Sequence, residues 1–242
     1  MVEGRTHDAR LVAEIFDPFP GMTSHADARA RFVREAGLLF RLRHENIVRV
    51  FDAGELADGR PFIKMEFFDG LNLQKAREDR APTALDAIAV VGKLTAAVEH
   101  AHSRSIVHRD IKPSNVLVSA ALDDVRLIDF GLGIIVEEAV SRARLTKTAQ
   151  QFGDAYAAPE LLENAKTADP SVDIYSIGAV WFWLHAGRSP KGAGLDAMID
   201  DFELDTELKI MLRACLLPAT KRPTANKLQD QLRSWFRTHR PK

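Results

Sequence analysis

The segment 108–115, His-Arg-Asp-Ile-Lys-Pro-Ser-Asn, decides the fold of this 242-residue chain. It brings a carboxylate (Asp110), an ammonium group (Lys112) and an amide (Asn115) into one short loop. A second carboxylate, Asp129, comes after a stretch with the pattern of strand, turn and strand, and is followed by Phe and Gly. Carboxylate and amide oxygens are the ligands that hard divalent cations prefer. Asn115 and Asp129 are therefore predicted to bind Mg²⁺.

These residue types match the needs of one reaction, the transfer of a phosphoryl group to a hydroxyl. That reaction needs a carboxylate that orients the hydroxyl and accepts its proton, a cation beside the moving phosphate, and oxygen ligands for magnesium. Asp110 fits the first role and Lys112 the second, while Asn115 and Asp129 fit the third. Asp-Phe-Gly alone would be weak evidence, because the same three residues also form ordinary turns.

Three further segments follow along the chain. They are 158–160 (Ala-Pro-Glu), 173–178 (Asp-Ile-Tyr-Ser-Ile-Gly) and 221–224 (Lys-Arg-Pro-Thr). Together the five segments resemble, in order, the H-R-D-x-K-x-x-N, D-F-G, A-P-E, D-x-W-S-x-G and R-P-T elements of protein kinases, with Tyr175 in place of the tryptophan. The resemblance covers roughly residues 9–237. The chain thus resembles a eukaryotic-type (Hanks-type) Ser/Thr protein kinase domain of the bacterial kind.

The resemblance implies an α+β, bilobal protein-kinase-like fold. Residues 1–68 would form a small, incomplete β-rich N-lobe and residues 69–242 a mainly helical C-lobe of one kinase domain. Lys112, two residues after the predicted catalytic aspartate, resembles the Ser/Thr rather than the Tyr subclass. Residue patterns predict strands at 9–16, 47–54, 61–68, 115–118 and 125–128, helices at 24–42, 83–103, 171–185, 205–217 and 224–237, and a mobile loop at 132–155.

The resemblance also implies a nucleotide site, with ATP and Mg²⁺ as cofactors. Met65 stands at the gatekeeper position, although it could equally be a core residue of an apolar strand. Glu66 and Phe68 belong to the hinge that meets adenine, and Leu117 belongs to the floor beneath it. Asp129 would bind the metal that accompanies the nucleotide.

Two charged residues are implied to hold the C-lobe together. Glu160 should pair with Arg222 in a buried ion pair, whereas the alternative makes Arg222 an ordinary surface charge. Asp173 should bind the backbone around His108 and Arg109. Both roles come from the resemblance.

The segment before Ala-Pro-Glu departs from the family pattern. Residues 152–156 are one residue shorter than G-T-x-x-Y, so Gly153 or Asp154 replaces the threonine that normally bonds the catalytic aspartate. Upstream, Thr146 and Thr148 resemble the T-x-T phosphoacceptor pair of bacterial kinases. Phosphates on them could pair with Arg109, which belongs to the segment 108–115, called here the catalytic loop. The alternative is a polar loop that is never modified.

The N-terminal region departs further. The family's glycine-rich loop should precede the strand at 9–16, but only eight residues come before that strand, and Gly4 alone cannot form G-x-G-x-x-G. This predicts a truncated small lobe in which the strand at 9–16 leaves a sheet edge uncovered.

The phosphate-binding lysine of the third family strand is also replaced. Alignment puts Glu14 at its position, or Ile15 if the register shifts by one residue. A carboxylate there would repel a triphosphate and would stand beside Glu35, which falls where the family has its helix glutamate. Lys64 could substitute, but strand alternation should point it away from the nucleotide. Glu35 could also be a solvated charge on an amphipathic helix.

Two functions remain open at this stage. One is a Ser/Thr protein kinase that transfers the ATP γ-phosphate to protein hydroxyls with weak activity, and it is favoured by Asp110, Asn115 and Asp129. The other is a pseudokinase that serves as a regulatory or protein-interaction module, and it is favoured by Glu14 and the missing glycine-rich loop. The expected partner is accordingly a protein substrate or a regulatory protein.

Composition narrows the remaining classes. With 33 Lys and Arg against 34 Asp and Glu, the formal net charge of −1 gives no reason to expect nucleic acid or a membrane surface as partner. The lone cysteine, Cys215, excludes an intramolecular disulfide and is predicted to be a buried thiol. No signal peptide is recognisable, and the apolar run 177–186 is too short to span a bilayer. A cytoplasmic location is predicted, and the oligomeric state stays open.

Overall fold

The computed structural model of the chain describes residues 2–6, 9–15, 37, 39–130, 155–163 and 169–239. The strands are β1 (Val2–Thr6), β2 (Ala9–Ile15), β3 (Val50–Glu55), β4 (Pro61–Glu66), β5 (Leu71–Asn72), β6 (Val116–Val118) and β7 (Val125–Leu127). The helices are α1 (Leu73–Asp79), α2 (Ala84–His102), α3 (Pro159–Glu163), α4 (Ser171–Ala186), α5 (Leu195–Asp201), α6 (Thr206–Cys215) and α7 (Ala225–Thr238). Short 3₁₀ turns cover Pro113–Asn115 and Ala219–Lys221.

The first four strands form one antiparallel sheet in the order β1-β2-β4-β3. A hairpin turn around Asp58-Gly59 joins β3 to β4. Gly59 adopts a φ of 83°, which glycine reaches without a steric penalty, and the N–H of Leu56 donates to the carbonyl of Arg60 at 2.8 Å. The strands predicted at 9–16, 47–54 and 61–68 are therefore present, each within a few residues of its expected bounds.

One expectation for this sheet is wrong. The strand at 9–16 was expected to leave an edge uncovered, but β1 pairs antiparallel with β2, from Val2 opposite Ala13 to Thr6 opposite Ala9. The segment Val-Glu-Gly-Arg-Thr has little apolar alternation, so residue patterns did not indicate this strand, which is defined by its pairing with β2. A hairpin therefore does precede the strand that carries Glu14.

A second, three-stranded sheet (β5-β6-β7) lies beside the catalytic loop. Gly70 lies directly before β5. A Cβ at this position would stand 2.2 Å from the carbonyl oxygen of Val118, so the close approach of the two backbones requires glycine. The lead-in to β3 is hydrogen-bonded to this sheet. Val48 donates to the carbonyl of Leu127 at 3.0 Å, and Leu127 donates to that of Asn46 at 2.9 Å.

The helical part is centred on α2 and α4. α2 begins at a capping box: the Thr83 hydroxyl accepts from the N–H of Asp86 at 3.1 Å, and the Asp86 carboxylate accepts from the N–H of Thr83 at 2.9 Å. α4 is buried on most sides, and its Trp181 and Phe182 are fully buried. Cys215 is buried as predicted, and burial raises the pKa of its thiol to about 12.

Several predictions lie outside the described residues, namely the helix start at Ser24 and the loop at 132–155. Of the helix predicted to end near Leu42, the structure describes Gly37 and Leu39, which are helical, and residues 40–42, which are not. Among the described residues, none of the helices combines the length and apolarity that crossing a membrane requires. The short helices α1, α3 and α5 were not predicted, because five to seven residues carry too little periodicity.

Candidate active site

The backbone of the catalytic loop is held by one buried carboxylate, Asp173, in the first turn of α4. Its oxygens accept hydrogen bonds from the backbone N–H of His108 at 2.8 Å and from that of Arg109 at 2.7 Å. Asp173 is completely buried, and Arg109 has a φ of 68°, which is costly for a side chain with a Cβ. The hydrogen bonds compensate that strain. The predicted role of Asp173 is confirmed.

A third donor to Asp173 was not predicted. The ring Nε2 of His102, at the end of α2, lies 2.8 Å from the carboxylate, and the side chain is 11% exposed. His102 precedes the loop by six residues, so the sequence alone does not reveal that it shares a partner with the loop backbone. A buried carboxylate needs several donors, and that requirement is the signal that could have led to His102.

His108 connects the loop to β7. Its Nδ1 accepts from the N–H of Asp110 at 3.2 Å, so its Nε2 carries the proton that is donated to the carbonyl of Ile128 at 2.8 Å. Burial lowers the pKa of the His108 imidazole, while the charge of Asp173 acts in the opposite direction. The neutral ring with this tautomer ties the catalytic loop to the residue that precedes Asp129.

The three predicted catalytic side chains meet directly. The Lys112 ammonium donates to Asp110 Oδ2 at 2.7 Å, and Asn115 Nδ2 donates to the same oxygen at 2.9 Å. Asn115 Nδ2 also donates to the Asp110 carbonyl at 2.9 Å. The side chains of Asp110 and Lys112 are 32% and 27% exposed, so both can reach a bound molecule. The arrangement holds a carboxylate and a cation at one point.

The side-chain oxygens of Asn115 and Asp129 are the ones that would hold a magnesium ion. Because Asn115 Nδ2 is used by Asp110, its amide oxygen points the other way and receives only a long contact of 3.4 Å from Ser114. Asp129 follows Ile128, whose N–H donates to the Asn115 carbonyl at 3.0 Å, and its φ is 64°. No cluster of three or more His, Cys, Asp or Glu occurs in the described residues. A magnesium ion here would share its coordination with a phosphate ligand.

Phe130 packs behind this site. It is buried, and its ring centroid lies 4.5 Å from that of His108. It also lines a largely apolar pocket together with Leu39, Ile63 and Met65. Phe130 therefore places Asp129 at the edge of the core while its own ring fills it.

The residues expected around adenine fall into two groups: one residue lines the apolar pocket, and the others are neighbours of Arg126. Met65 lines the pocket with Phe130. Glu66 pairs with Arg126 at 3.4 Å, and the Arg126 guanidinium carbon lies 5.5 Å from the ring centroid of Phe68. Leu117 lies opposite Arg126 in the β6–β7 register. Arg126, which was not predicted, is thus the shared neighbour of the hinge residues and Leu117.

In the antiparallel β2–β4 pair, Glu14 lies opposite Ile63, two positions from the pair Val12–Met65. Lys64 pairs with Ala13 in the same ladder. Because Ile63 and Met65 both line the pocket behind the site, strand alternation puts Lys64 on the other face of β4. Lys64 therefore lies on the face of β4 that is turned away from this pocket.

The tie between the Ala-Pro-Glu segment and the last helices is confirmed. Both guanidinium Nη atoms of Arg222 bond the Glu160 carboxylate, the second at 3.1 Å, and the Arg222 side chain is only 1% exposed. Arg222 also donates to the carbonyls of Ser171 at 3.1 Å and Leu217 at 2.7 Å. The guanidinium carbon of Arg222 lies 4.9 Å from the ring centroid of Tyr175, the residue that replaces the family tryptophan.

Four predicted features lie outside the described residues. They are Glu35, Thr146, Thr148 and the shortened segment at 152–154. The described part of that segment begins at Ala155.

Comparison with known proteins agrees with this geometry. The protein kinase domain model matches residues 22–237. The chain is 40% identical over 177 residues to the serine/threonine-protein kinase PknJ of Mycobacterium tuberculosis, which covers 72% of this chain and 29% of that protein. It is 41% identical over 165 residues to a probable serine/threonine-protein kinase PknB of Lactococcus lactis, covering 67% of this chain and 25% of that protein.

The crystal structure of Rad53 residues 1–466 in complex with AMP-PNP superposes with a TM-score of 0.70 at 23% identity. The match covers 92% of this chain and 57% of that one, and it supports the fold. The chain spans less than a third of the length of the two bacterial relatives. The family model and these relatives together show that this chain belongs to the protein kinase family, as a bacterial, Hanks-type Ser/Thr kinase domain.

Proposed function

We propose that this chain is an ATP-dependent protein kinase that transfers the γ-phosphate to Ser or Thr hydroxyls of a protein substrate. The observation that supports this most is the shared oxygen of Asp110, which accepts from Lys112 and Asn115 on a backbone held by Asp173. A chain that did not transfer phosphate would have no chemical need to retain this arrangement.

Each residue has one role in the proposal. Asp110 orients the acceptor hydroxyl and accepts its proton, and Lys112 stabilises the charge on the moving phosphate. Asn115 and Asp129 hold Mg²⁺, which when bound neutralises charge on the ATP phosphates.

ATP would bind between the two sheets. In this proposal Met65 bounds the adenine pocket at the rear, Glu66 and Phe68 contribute hinge backbone, and Leu117 lies under the ring. Arg126 positions the hinge side chains through Glu66 and Phe68. A protein, rather than nucleic acid or a membrane, is the proposed partner. The cytoplasmic location remains a prediction.

Regulation by phosphorylation is part of the proposal. The Nε of Arg109 is buried and makes no hydrogen bond to the described part of the chain. A phosphate on Thr146 or Thr148 would supply the acceptor that this guanidinium lacks. Mass spectrometry after incubation with MgATP tests this, since phosphorylation elsewhere in the chain but at neither threonine would contradict it.

The kinase proposal is tested by phosphate transfer to a generic Ser/Thr substrate protein. Asp110→Asn should lower the rate by about a hundredfold to ten-thousandfold, because a positioned proton acceptor contributes on that scale. Asp230→Asn, an exposed change on α7, is the matched control and should leave the rate unchanged. Equal rates for the parent chain and Asp110→Asn would contradict the assignment.

A pseudokinase that acts as a regulatory or interaction module is the second candidate. The observation that favours it is the register of β2, which puts Glu14 rather than a cation opposite Ile63. This candidate predicts that no phosphate is transferred under any condition, while binding to a protein partner is unaffected by Asp110→Asn. The same assay, extended to a binding measurement, separates the two.

A further inference from the structure

Arg77 is a cation without a carboxylate partner in the described part of the chain. It lies in the last turn of α1 and is half-buried. Its Nε is buried and makes no hydrogen bond, and no carboxylate pairs with it among the described residues. Several other described arginines do have carboxylate partners, namely Arg60, Arg80, Arg126, Arg213 and Arg222.

The position of the Arg77 guanidinium is set by its surroundings. Its central carbon lies 5.1 Å from the ring centroid of Trp183, a buried residue near the end of α4. Gly187 ends that helix with a φ of 71°, and a Cβ there would stand only 2.9 Å from Arg77 Nη2. Glycine therefore permits the close approach. Aromatic stacking and the negative end of α4 both favour a cation at this point.

These contacts fix the cation but supply no acceptor for it. A buried guanidinium N–H without an acceptor is unfavourable, and such groups are normally satisfied. A planar guanidinium presents a fork of donors that matches a carboxylate or a phosphate. Within the described part of the chain, Arg77 is therefore a positioned cation that can bind an anion.

Arg77 also stands beside the catalytic machinery. α1 packs against the 3₁₀ turn Pro113–Asn115, which carries a predicted metal ligand. The ring of Tyr156 lies edge-on to Trp183 with centroids 6.5 Å apart, and Tyr156 stands two residues before Ala158. Burial raises the pKa of the Tyr156 hydroxyl to about 12, and the positive charge of Arg77 acts against that rise. Arg77 therefore lies near Trp183 and Tyr156, on a helix that contacts the turn carrying Asn115.

We propose that Arg77 is a specificity-determining residue that binds an acidic side chain of the protein substrate while Asp110 holds the acceptor hydroxyl. The inference rests on the proposed kinase function, because it deepens the substrate class of the same site. A phosphorylated residue offers the same oxyanion chemistry, so carboxylate and phosphate are separate arms of the test.

The test uses peptides with one acceptor serine, in which each flanking position in turn carries Glu, Gln, Lys or phosphoserine. At one position the parent chain should prefer Glu over Gln by about tenfold in kcat/KM, the usual scale of one charge-assisted contact. Arg77→Gln should bring this ratio to about one, while kcat/KM for the Gln peptide stays the same. Arg77→Glu should shift the preference to Lys. A phosphoserine peptide used better than the Glu peptide identifies phosphate as the preferred anion.

Two controls separate recognition from packing. Lys75→Gln removes an exposed charge from the same helix and should keep the parent ratio. A packing defect at Arg77 would lower the rates for all peptides together, whereas loss of recognition changes only the ratio within each protein. Fluorescence anisotropy of the same peptides measures binding without phosphate transfer.

The outcomes also separate this inference from the proposed function. Phosphate transfer with no acid preference overturns the role of Arg77 and leaves the kinase function standing. Absence of transfer, with Arg77-dependent binding of the Glu peptide, overturns the kinase function and supports Arg77 as a recognition residue. Absence of both overturns both.

Discussion

The catalytic loop and the β2–β4 strand pair would meet the same nucleotide, but they are built differently. In the loop, a buried carboxylate, Asp173, binds two backbone N–H groups and the His102 ring, and a neutral His108 joins the loop to β7. The strand pair depends on backbone register, and the position opposite Ile63 holds Glu14. In the catalytic loop, side chains are held in place by several hydrogen-bond partners. In the strand pair, the register fixes the position of the backbone.

In the proposed reaction, the group that accepts the proton and the group that binds the phosphates therefore belong to separate parts of the chain. A charge change in β2 leaves the hydrogen bonds around Asp110 untouched. The catalytic loop can therefore be complete while the opposite wall of the nucleotide site is not. Three substitutions in the C-lobe region should change the free energy of unfolding, and one substitution in β2 should change the affinity for MgATP.

The largest effect on stability is expected from Asp173→Asn. The amide offers only one acceptor oxygen and brings its own N–H groups against the donors of His108, Arg109 and His102. Breaking a buried charge network in this way typically costs about 3–5 kcal/mol. Urea denaturation measures the free energy of unfolding. Asp169→Asn, an exposed change at the start of the same helix, is the control, and equal losses for the two would contradict the role of Asp173.

A somewhat smaller loss is expected from Arg222→Ala, which leaves the Glu160 carboxylate and two backbone carbonyls without their donor. Because Glu160 is 27% exposed and water can reach it, we expect about 2–3 kcal/mol, below the usual range for a fully buried pair. The double variant Glu160→Gln/Arg222→Met should recover part of the loss. Thermal denaturation of the single and double variants checks both points, and a silent Arg222→Ala would contradict the pairing.

The smallest of the three stability effects concerns pH. Burial lowers the pKa of His185 to about 4, against an ordinary value of 6.5. Between these values the unfolded chain binds a proton that the folded chain does not, so stability falls as the pH drops from 6.5 towards 4. His185→Gln should remove about 1–2 kcal/mol of the difference in unfolding free energy between pH 7 and pH 5. Parallel pH curves for the parent and His185→Gln would refute it.

Residue patterns reveal local contacts better than distant ones for a physical reason. Asp110, Lys112 and Asn115 lie within six residues of one another, so the sequence alone brings them together, and their side chains are hydrogen-bonded in the structure. The capping box at Thr83 and Asp86 is local in the same way. Local hydrogen bonds of this kind do not depend on distant parts of the chain. The catalytic roles of the three residues stay predictions.

The features that the sequence did not predict depend on distant partners. Arg77 and Trp183 stack across more than a hundred residues, and Arg126 is central to the hinge only because β7 lies opposite β6. β1 was missed for another reason. Its side chains carry no strand pattern, and only pairing with β2 defines it. Tertiary hydrogen bonds and stacking therefore decided what residue patterns left open.

Titration calorimetry with MgATP tests the central contrast most directly. If β2 sets the limit on nucleotide affinity, the parent chain binds MgATP weakly and Glu14→Lys tightens binding by about tenfold or more, since it removes a repulsion and adds a phosphate partner. Asp129→Asn should abolish the magnesium-dependent part, and Glu203→Lys, an exposed control, should change nothing. Low-micromolar binding by the parent chain, unaltered by Glu14→Lys, would contradict the account, because another basic residue would then hold the phosphates.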